Sequence, residues 1–264
     1  MQDIEHDTIR SKVRAHYASI AEQNSSGCSC APSSCCSGDA NKSQYAAKLG
    51  YSKEELSAAP DGANLNLGCG NPLAIASIQK GETVLDLGSG AGFDCFLAAR
   101  QLAGSGQVIG VDMTPEMVSK ARRNAARSGY ENVDFRLGEI EAMPVADAAV
   151  DLIISNCVIN LSPNKPKVFK EAFRVLRKGG RLAISDVVAS HPLPEAWKND
   201  SERLAACIAG AETKANIEAW LKAAGFTDIR IVAKSSLKEI IDTWDETKTL
   251  GDVVVSAIIE ARKP

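Results

Sequence analysis

Eight cysteines in 264 residues are the first candidates for chemistry. Four crowd into CSCAPSSCC, Cys28 to Cys36, among glycine, serine, alanine and proline, while Cys69, Cys95, Cys157 and Cys207 stand far apart. A thiolate can be a nucleophile, a redox partner or a ligand for a soft centre. The N-terminus MQDIEHDTIR has neither the basic start nor the apolar run of a secretory signal, which points to the cytoplasm. Stable disulfides are rare in a reducing compartment, so thiols there serve metals, redox or catalysis, or pack as small hydrophobes. Taken alone, CSCAPSSCC fits a disulfide knot, a zinc ligand set, a loose redox tail or part of an active site. Structural zinc favours paired C-x-x-C spacing. Cys69, Cys157 and Cys207 show no such pairing, and their scatter suits a site assembled only by folding.

The second chemical signal is VLDLGSGAGF, which sets Gly88, Gly90 and Gly92 at a strand-to-helix turn. Ligands of open α/β sheets bind at such turns, because glycine lets them approach the backbone closely. A dinucleotide fingerprint reads G-x-G-x-x-G. Its last glycine would fall on Phe93, so that match fails. Asp86, at the end of the strand, suits an ammonium better than a pyrophosphate. Asp112, ending VIGVD, is the acid expected to grip a ribose hydroxyl pair.

The elements around these residues follow from periodicity and punctuation. Ile9, Val13, Tyr17 and Ile20 predict an amphipathic N-terminal helix, residues 24–43 have loop composition, and YAAKLGYSKEELSAAP reads as helical. DGANLNLGCGNP is turn-rich, and Pro72 suits the first position of a short helix, PLAIASIQ. From Thr83 strands alternate with helices: TVLDLG, QVIGVD, VDFRLG, VDLIISNC and RLAISDVV are the strands. Thr114 is the expected N-cap of the helix from Pro115 to Gly129, and the helix of KPKVFKEAFRVLRKGG is expected to end at Gly179. A polar, helix-prone insert covers 192–212, and KANIEAWLKAAGF is amphipathic. The last strands, DIRIVAKS and DVVVSAIIEAR, with no helix expected between them, predict an antiparallel hairpin at one sheet edge. The whole is an α/β fold with a mostly parallel sheet and helices on both faces.

Composition removes several function classes. Hydrophobic residues make up 45% and charged residues 24%, with a net charge of −3. That balance lacks the basic excess of a nucleic-acid binder, and no apolar run reaches the roughly 18 residues of a membrane span. Neither nucleic acid nor membrane is expected as a partner. His6, His16 and His191 fall in no catalytic-looking context, and Cys95, on the apolar face of FDCFLAAR, is expected to be a packed core thiol.

D-x-G-x-G-x-G followed by a second-strand acid resembles the class I S-adenosylmethionine methyltransferases over roughly residues 80–264. The resemblance implies a Rossmann-like sheet, S-adenosylmethionine as cofactor, and a division into two parts. Residues 1–72 would form an N-terminal helix, Cys-rich loop and substrate-site cap. Residues 73–264 would form the cofactor domain, with a substrate-covering insert near 190–215. It also implies that Asp86, Gly88, Ser89 and Gly90 line the methionine end. Asp112 would bind the ribose, Met113 would pack on adenine, Glu139 and Ile140 would lie at the adenine edge, and Asn156 would meet cofactor or substrate.

Four longer stretches narrow this. GYSKEELSAAPDGANLNLGCGNPLAIASI, ETVLDLGSGAGFDCFLAAR, SNCVINLSPNKPKVFKEAFRVLRKGGRLAISDVV and CIAGA together look like the arsenite S-adenosylmethionine methyltransferases. This second resemblance implies that Cys69, Cys157 and Cys207 are the thiolates that hold arsenite or methylarsenite, with no resident metal. Cys35 or Cys36 would complete a redox relay by pairing with Cys69, and thioredoxin or glutathione would reset it. Longer members of that family carry a further C-terminal domain, which is not expected here.

The chemistry is consistent. Arsenic(III) is soft and prefers thiolates. Three of them leave its lone pair exposed, so methyl attack needs no general base and catalysis is mostly positioning. A neutral substrate also needs no basic steering patch. Two other readings stay open at this point. A methyltransferase for a quinone-type or sterol-type acceptor would need a base and would give the cysteines no task. A metal- or metalloid-binding protein would use CSCAPSSCC for zinc or copper and leave the glycine loop without one.

Overall fold

The computed structural model describes residues 2–23, 44–194, 197, 208–234, 237–242 and 250–264. Cys28, Cys30, Cys35, Cys36, Cys207 and most of the expected 192–212 insert lie outside the described residues. Helix α1 (Gln2–Gln23) opens the chain and buries Val13 and Ala21, on the face that the spacing of its apolar residues predicts. Two short helices follow, α2 (Lys53–Ala58) and α3 (Leu73–Ala76). Helix α2 starts in a capping box: Ser52 Oγ accepts from Glu55 N, and Glu55 Oε2 accepts from Ser52 N. Pro72 stands at the N-cap position of α3, one residue before the first helical position expected for it, and Ser77 stops the helix after one turn in the left-handed region.

The sheet holds β1 (Thr83–Leu87), β2 (Gln107–Asp112), β3 (Val133–Leu137), β4 (Val150–Asn156), β5 (Leu176–Ala189), β7 (Thr227–Ala233) and β8 (Val254–Arg262), in the order β3-β2-β1-β4-β5-β8-β7. The two-residue β6 (Glu212–Thr213) pairs with β5 off this path. Strand β8 runs antiparallel to both neighbours, and the other pairings are parallel. The mostly parallel class I sheet with its antiparallel C-terminal pair is therefore present. Between β1 and β4 the order reverses, and the crevice at that switch point is where an open α/β sheet takes its ligand.

Alternation along the strands divides the core. Val84, Val108, Leu152 and Ile154 pack on one face beneath α4 (Phe93–Gln101) and α5 (Pro115–Ser128). Leu85, Ile109, Ile153 and Ile184 pack on the other beneath α6 (Lys165–Val175) and α7 (Lys214–Ala224). A third apolar cluster joins Val13, Cys69, Cys157, Val187, Ile208 and Ile241.

Three local expectations are corrected. Helix α6 ends at Val175, four residues before Gly179, because Leu176 already pairs with Val150 as the start of β5. The last carbonyls of the helix are satisfied from outside: Lys263 Nζ donates to Phe173 O and Leu176 O, each at 2.7 Å. The stretch between β7 and β8 does contain a helix, α8 (Lys238–Asp242), which buries Ile241 in the third cluster. Thr114 stands at the N-cap position of α5 without capping through its side chain; its own N–H is instead taken by Asp112 Oδ1 at 2.8 Å. Among the described residues no helix is long and apolar enough to cross a membrane.

Candidate active site

The glycine loop leaves β1 and is tied at once to the end of β2. Gly88 N and Ser89 N both donate to Val111 O, and Gly90 N donates to Asp112 Oδ2 at 2.9 Å. Gly88, Gly90 and Gly92 all have positive φ, of 68°, 52° and 94°. Two of them are sterically committed as well: a Cβ on Gly88 would collide with Val158, and one on Gly92 would meet Phe96 and Phe135. Gly90 differs, since a Cβ there would meet nothing within 4 Å. It faces open space at the floor of a cleft.

That cleft holds about 1130 Å³ of empty space, open solvent at its mouth included. Asp86, Gly88, Ser89, Gly90, Asp112, Met113 and Ile140 all line it. Asn156 and Cys157 reach it from the end of β4, and Arg10, Val13 and Tyr17 reach it from α1. Glu139 is the exception among the expected cofactor residues. Its carboxylate turns to Arg10 Nε at 3.2 Å and does not line the cleft. The acid that does line it is Glu141, buried, and bonded to Ser162 Oγ at 2.7 Å.

The electrostatics of the floor are acidic. Burial pushes the Asp86 carboxyl well above the usual carboxylate range, and the charge of Asp94 adds to the rise. Burial raises Asp94 to about 6, against the lowering effect of hydrogen bonds from Tyr51 and Asn156. Asp112 is also raised by burial, and its bonds from Thr114 and Gly90 oppose the shift. None of the three forms an ion pair among the described residues. Cys95, fully buried as expected of a core thiol, also donates to Asp86 Oδ2 at 3.2 Å. Ser89 Oγ is buried without a hydrogen-bond partner in the structure. Unpaired buried carboxylates call for a cation, and an orphaned hydroxyl calls for a polar ligand. The sulfonium and ammonium of S-adenosylmethionine meet both needs, and the open space above Gly90 leaves room for its close approach. The residues present fit the cofactor.

Asn156 is the hinge between this floor and the thiols. Its Oδ1 accepts from Cys69 N at 3.0 Å, and its Nδ2 donates to Gly70 O at 2.9 Å and Asp94 Oδ2 at 3.1 Å. Tyr51 Oη donates to Asp94 Oδ1 at 2.6 Å and lies 3.0 Å from Asn156 Nδ2. A Cβ on Gly68 would sit 2.6 Å from the same amide nitrogen, so glycine is required there for the segment to lie on Asn156. Tyr51 and Asp94 carried no motif in the sequence. Their sole hint was Asp94 directly after the glycine loop, in the first turn of α4.

Cys69 and Cys157 are joined as a disulfide with a Cα–Cα distance of 5.7 Å. Both are buried, at 1% and 5% exposure. The expected partner of Cys69 was Cys35 or Cys36, which lie outside the described residues; the structure pairs it with Cys157. The expected third thiol, Cys207, is likewise outside them, but Ile208, next in the chain, is buried in the cluster that contains Cys69 and Cys157. A carboxylate that sequence reasoning missed completes the surroundings. An oxygen of Asp186, on β5, lies within 4.8 Å of both sulfurs.

Comparison with known proteins agrees with this geometry. A family profile described as a methyltransferase domain matches residues 78–225. An arsenite methyltransferase of Halobacterium salinarum is 50% identical over 99% of this chain and 68% of its own length. The arsenite methyltransferase of Homo sapiens is 34% identical over 70% of this chain and 51% of its own, so the chain spans about half of that relative. Among solved structures, an arsenic(III) S-adenosylmethionine methyltransferase from Chlamydomonas reinhardtii superposes with a TM-score of 0.63 at 33% identity, covering 83% of this chain and 73% of that one. Fold, cofactor cleft and sequence agree that this chain belongs to the arsenite methyltransferases, a family of S-adenosylmethionine-dependent enzymes.

Proposed function

We propose that this chain transfers methyl groups from S-adenosylmethionine to trivalent arsenic held by the thiolates of Cys69, Cys157 and Cys207. Arsenite or methylarsenite would leave as a more methylated arsenical, as a cytoplasmic detoxification reaction. One observation carries this reading. Cys69 and Cys157, 88 residues apart in sequence, meet at the edge of the cleft whose carboxylates suit the cofactor.

S-Adenosylmethionine, when bound, supplies a methyl group on a positively charged sulfur. Asp86, Gly88, Ser89 and Gly90 would hold its methionine end, Asp112 its ribose, and Met113 with Ile140 its ring. Residues 1–72 would act as a cap, with α1 bringing Arg10, Val13 and Tyr17 to the cleft. The protein's task at arsenic is alignment, because a lone pair that carries no proton needs no base. Arsenic requires the reduced cysteines. Opening the Cys69–Cys157 bond consumes two electrons and two protons and frees two thiols. As each sulfur binds arsenic, its proton leaves with a hydroxide of arsenite as water.

Methyl transfer makes arsenic formally pentavalent, so two electrons must return it to the trivalent state. We assign them to Cys69 and Cys35 or Cys36, which would close a disulfide, with thioredoxin or glutathione as the external reductant. The deciding experiment is methyl transfer to arsenite with thiols present, the arsenic products resolved by methylation state. Wild type should yield methylated arsenicals, and Cys157→Ser should yield none while still binding cofactor. Equal turnover in the two proteins would overturn the assignment.

A further inference from the structure

Several buried ionisable side chains have no task in the proposed reaction, and one of them borders the thiol pair. Asp186 is 2% exposed and stands beside both sulfurs of the thiol pair. Its carboxylate is occupied by protein donors. Oδ1 accepts from Asn160 Nδ2 at 2.9 Å and from Val187 N at 2.7 Å, and Oδ2 accepts from Ile159 N at 3.0 Å. Two of these three donors belong to the turn that follows β4, the turn that begins at Cys157.

That turn needs an external hold. Cys157 has φ of +59°, in the left-handed region that is strained for a residue with a side chain. Such a conformation persists only where surrounding contacts determine it. Here the contacts run residue by residue along β5: Cys157 N donates to Ser185 O at 2.8 Å, Ile159 and Asn160 donate to Asp186, and Asn160 Nδ2 also donates to Val187 O at 2.6 Å. Asn160 is itself buried, and its carbonyl packs against Gly210, where any Cβ would collide with it. The turn is thus clamped from β5 on one side and from the 208–211 segment on the other.

We propose that Asp186 is a positioning residue for the Cys157 thiol. It fixes the left-handed turn that presents the Cys157 sulfur to Cys69, and so governs arsenic capture without taking part in cofactor binding. Asn160 is its partner in this. The consequence for arsenic rests on the reading that these two sulfurs hold it; the consequence for the sulfurs themselves does not.

The test uses reduced full-length chain with Asp186→Ala, Asp186→Asn and Asn160→Ala, and three readouts. S-Adenosylhomocysteine affinity reports folding and the cofactor cleft. The rate at which a mild oxidant closes Cys69–Cys157, followed by thiol counting, reports sulfur juxtaposition without arsenic. Arsenite affinity, with arsenic K-edge absorption to count sulfur ligands, reports capture. Leaving buried donors unpaired in Asp186→Ala should slow disulfide closure and weaken arsenite binding by about tenfold each, with S-adenosylhomocysteine affinity within about twofold of wild type. Asp186→Asn keeps one carbonyl acceptor and should recover part of both losses. A folded Asp186→Ala that closes the disulfide at the wild-type rate overturns the proposal. If Asp186→Ala does not fold, Asn160→Ala decides by the same closure rate and arsenite affinity. Should the variants slow closure while reduced wild type fails to bind arsenite, the functional reading falls and the positioning role stands.

Discussion

The side-chain oxygen of Asn156 accepts the backbone N–H of Cys69 across 3.0 Å, and the same side chain donates to Asp94 on the cleft floor at 3.1 Å. One residue therefore joins the floor of the cleft to a cysteine of the disulfide. Replacing it with alanine leaves Cys69 N–H, Gly70 O and Asp94 Oδ2 short of a partner in a buried setting. Each such orphan costs about 1–3 kcal/mol. Asn156→Ala should lower the thermal midpoint by several degrees and reduce arsenite turnover by more than about tenfold, roughly the effect of 1.4 kcal/mol on a rate. An unchanged melting curve, measured by calorimetry, would show that the bridge contributes nothing.

Under the proposed thiolate assignment, the Cys69–Cys157 disulfide makes arsenic binding conditional on reduction. Protein treated with a strong reductant and then desalted should bind arsenite, and the oxidised form should not. Cys69→Ser and Cys157→Ser should each abolish capture by that pair in either redox state. Cofactor binding should persist in all of these forms, since the floor of the cleft is built from carboxylates and glycines. Equilibrium dialysis with arsenite, counted by mass spectrometry, separates the cases. Equal arsenite uptake by oxidised and reduced wild type would contradict the thiol assignment.

Much of this architecture was legible in the sequence because it is repetitive or punctuated. Alternating apolar strands and amphipathic helices announce the sheet, and three glycines in five residues mark the turn where β1 meets α4. What could not be read depends on contacts between distant segments. Tyr51 and Asp94 meet Asn156 only through folding, and of the three only Asn156 was expected at the site. Asp186 hides inside an apolar strand, where a single acid reads as an exception to periodicity. Glu139 and Glu141 show the limit from another side: two acids two residues apart look interchangeable, and Arg10 on α1 pairs with both, yet Glu141 lies buried in the cleft, bonded to Ser162 Oγ, while Glu139 does not line it. The end of α6 was missed because Lys263, almost ninety residues downstream, supplies the donors that glycine was expected to make unnecessary.

The glycines of the loop should respond differently to alanine. Gly88→Ala places a Cβ into Val158 at a position where φ is already +68°. It combines backbone strain with overpacking, and should destabilise the fold by about 2–4 kcal/mol. Gly90→Ala carries the backbone strain alone, because nothing stands within 4 Å of its Cβ. Its cost to folding should be about 1–2 kcal/mol. The new methyl group would, however, stand in open space beside the cleft that the proposed function gives to the cofactor. Gly90→Ala should therefore fold and lose S-adenosylmethionine affinity by at least about tenfold, the equivalent of about 1.4 kcal/mol. Denaturant titration and isothermal calorimetry on the two variants test the contrast. A Gly90→Ala protein that binds cofactor as wild type does would place the ligand elsewhere.

The raised carboxyls give cofactor binding a defined proton balance. With Asp94 raised to about 6 and Asp86 raised well above the usual carboxylate range, the cofactor-free protein carries extra protons near pH 6 that the unfolded chain, with ordinary carboxylates, does not. Because the folded state binds more protons than the unfolded one in this window, stability without cofactor should fall as pH rises from about 4 through 6. A cation in the cleft favours the ionised carboxylates and pulls these values down. Binding of S-adenosylmethionine at pH 6 should then release protons, and its affinity should increase as pH is raised through 6 until Asp94 is ionised beforehand. S-Adenosylhomocysteine, which keeps the ammonium but lacks the sulfonium charge, should release fewer. Calorimetric titrations in two buffers of different ionisation enthalpy count the protons directly. Equal release by the two ligands would assign the effect to the ammonium and leave the sulfonium charge without influence on Asp86 and Asp94.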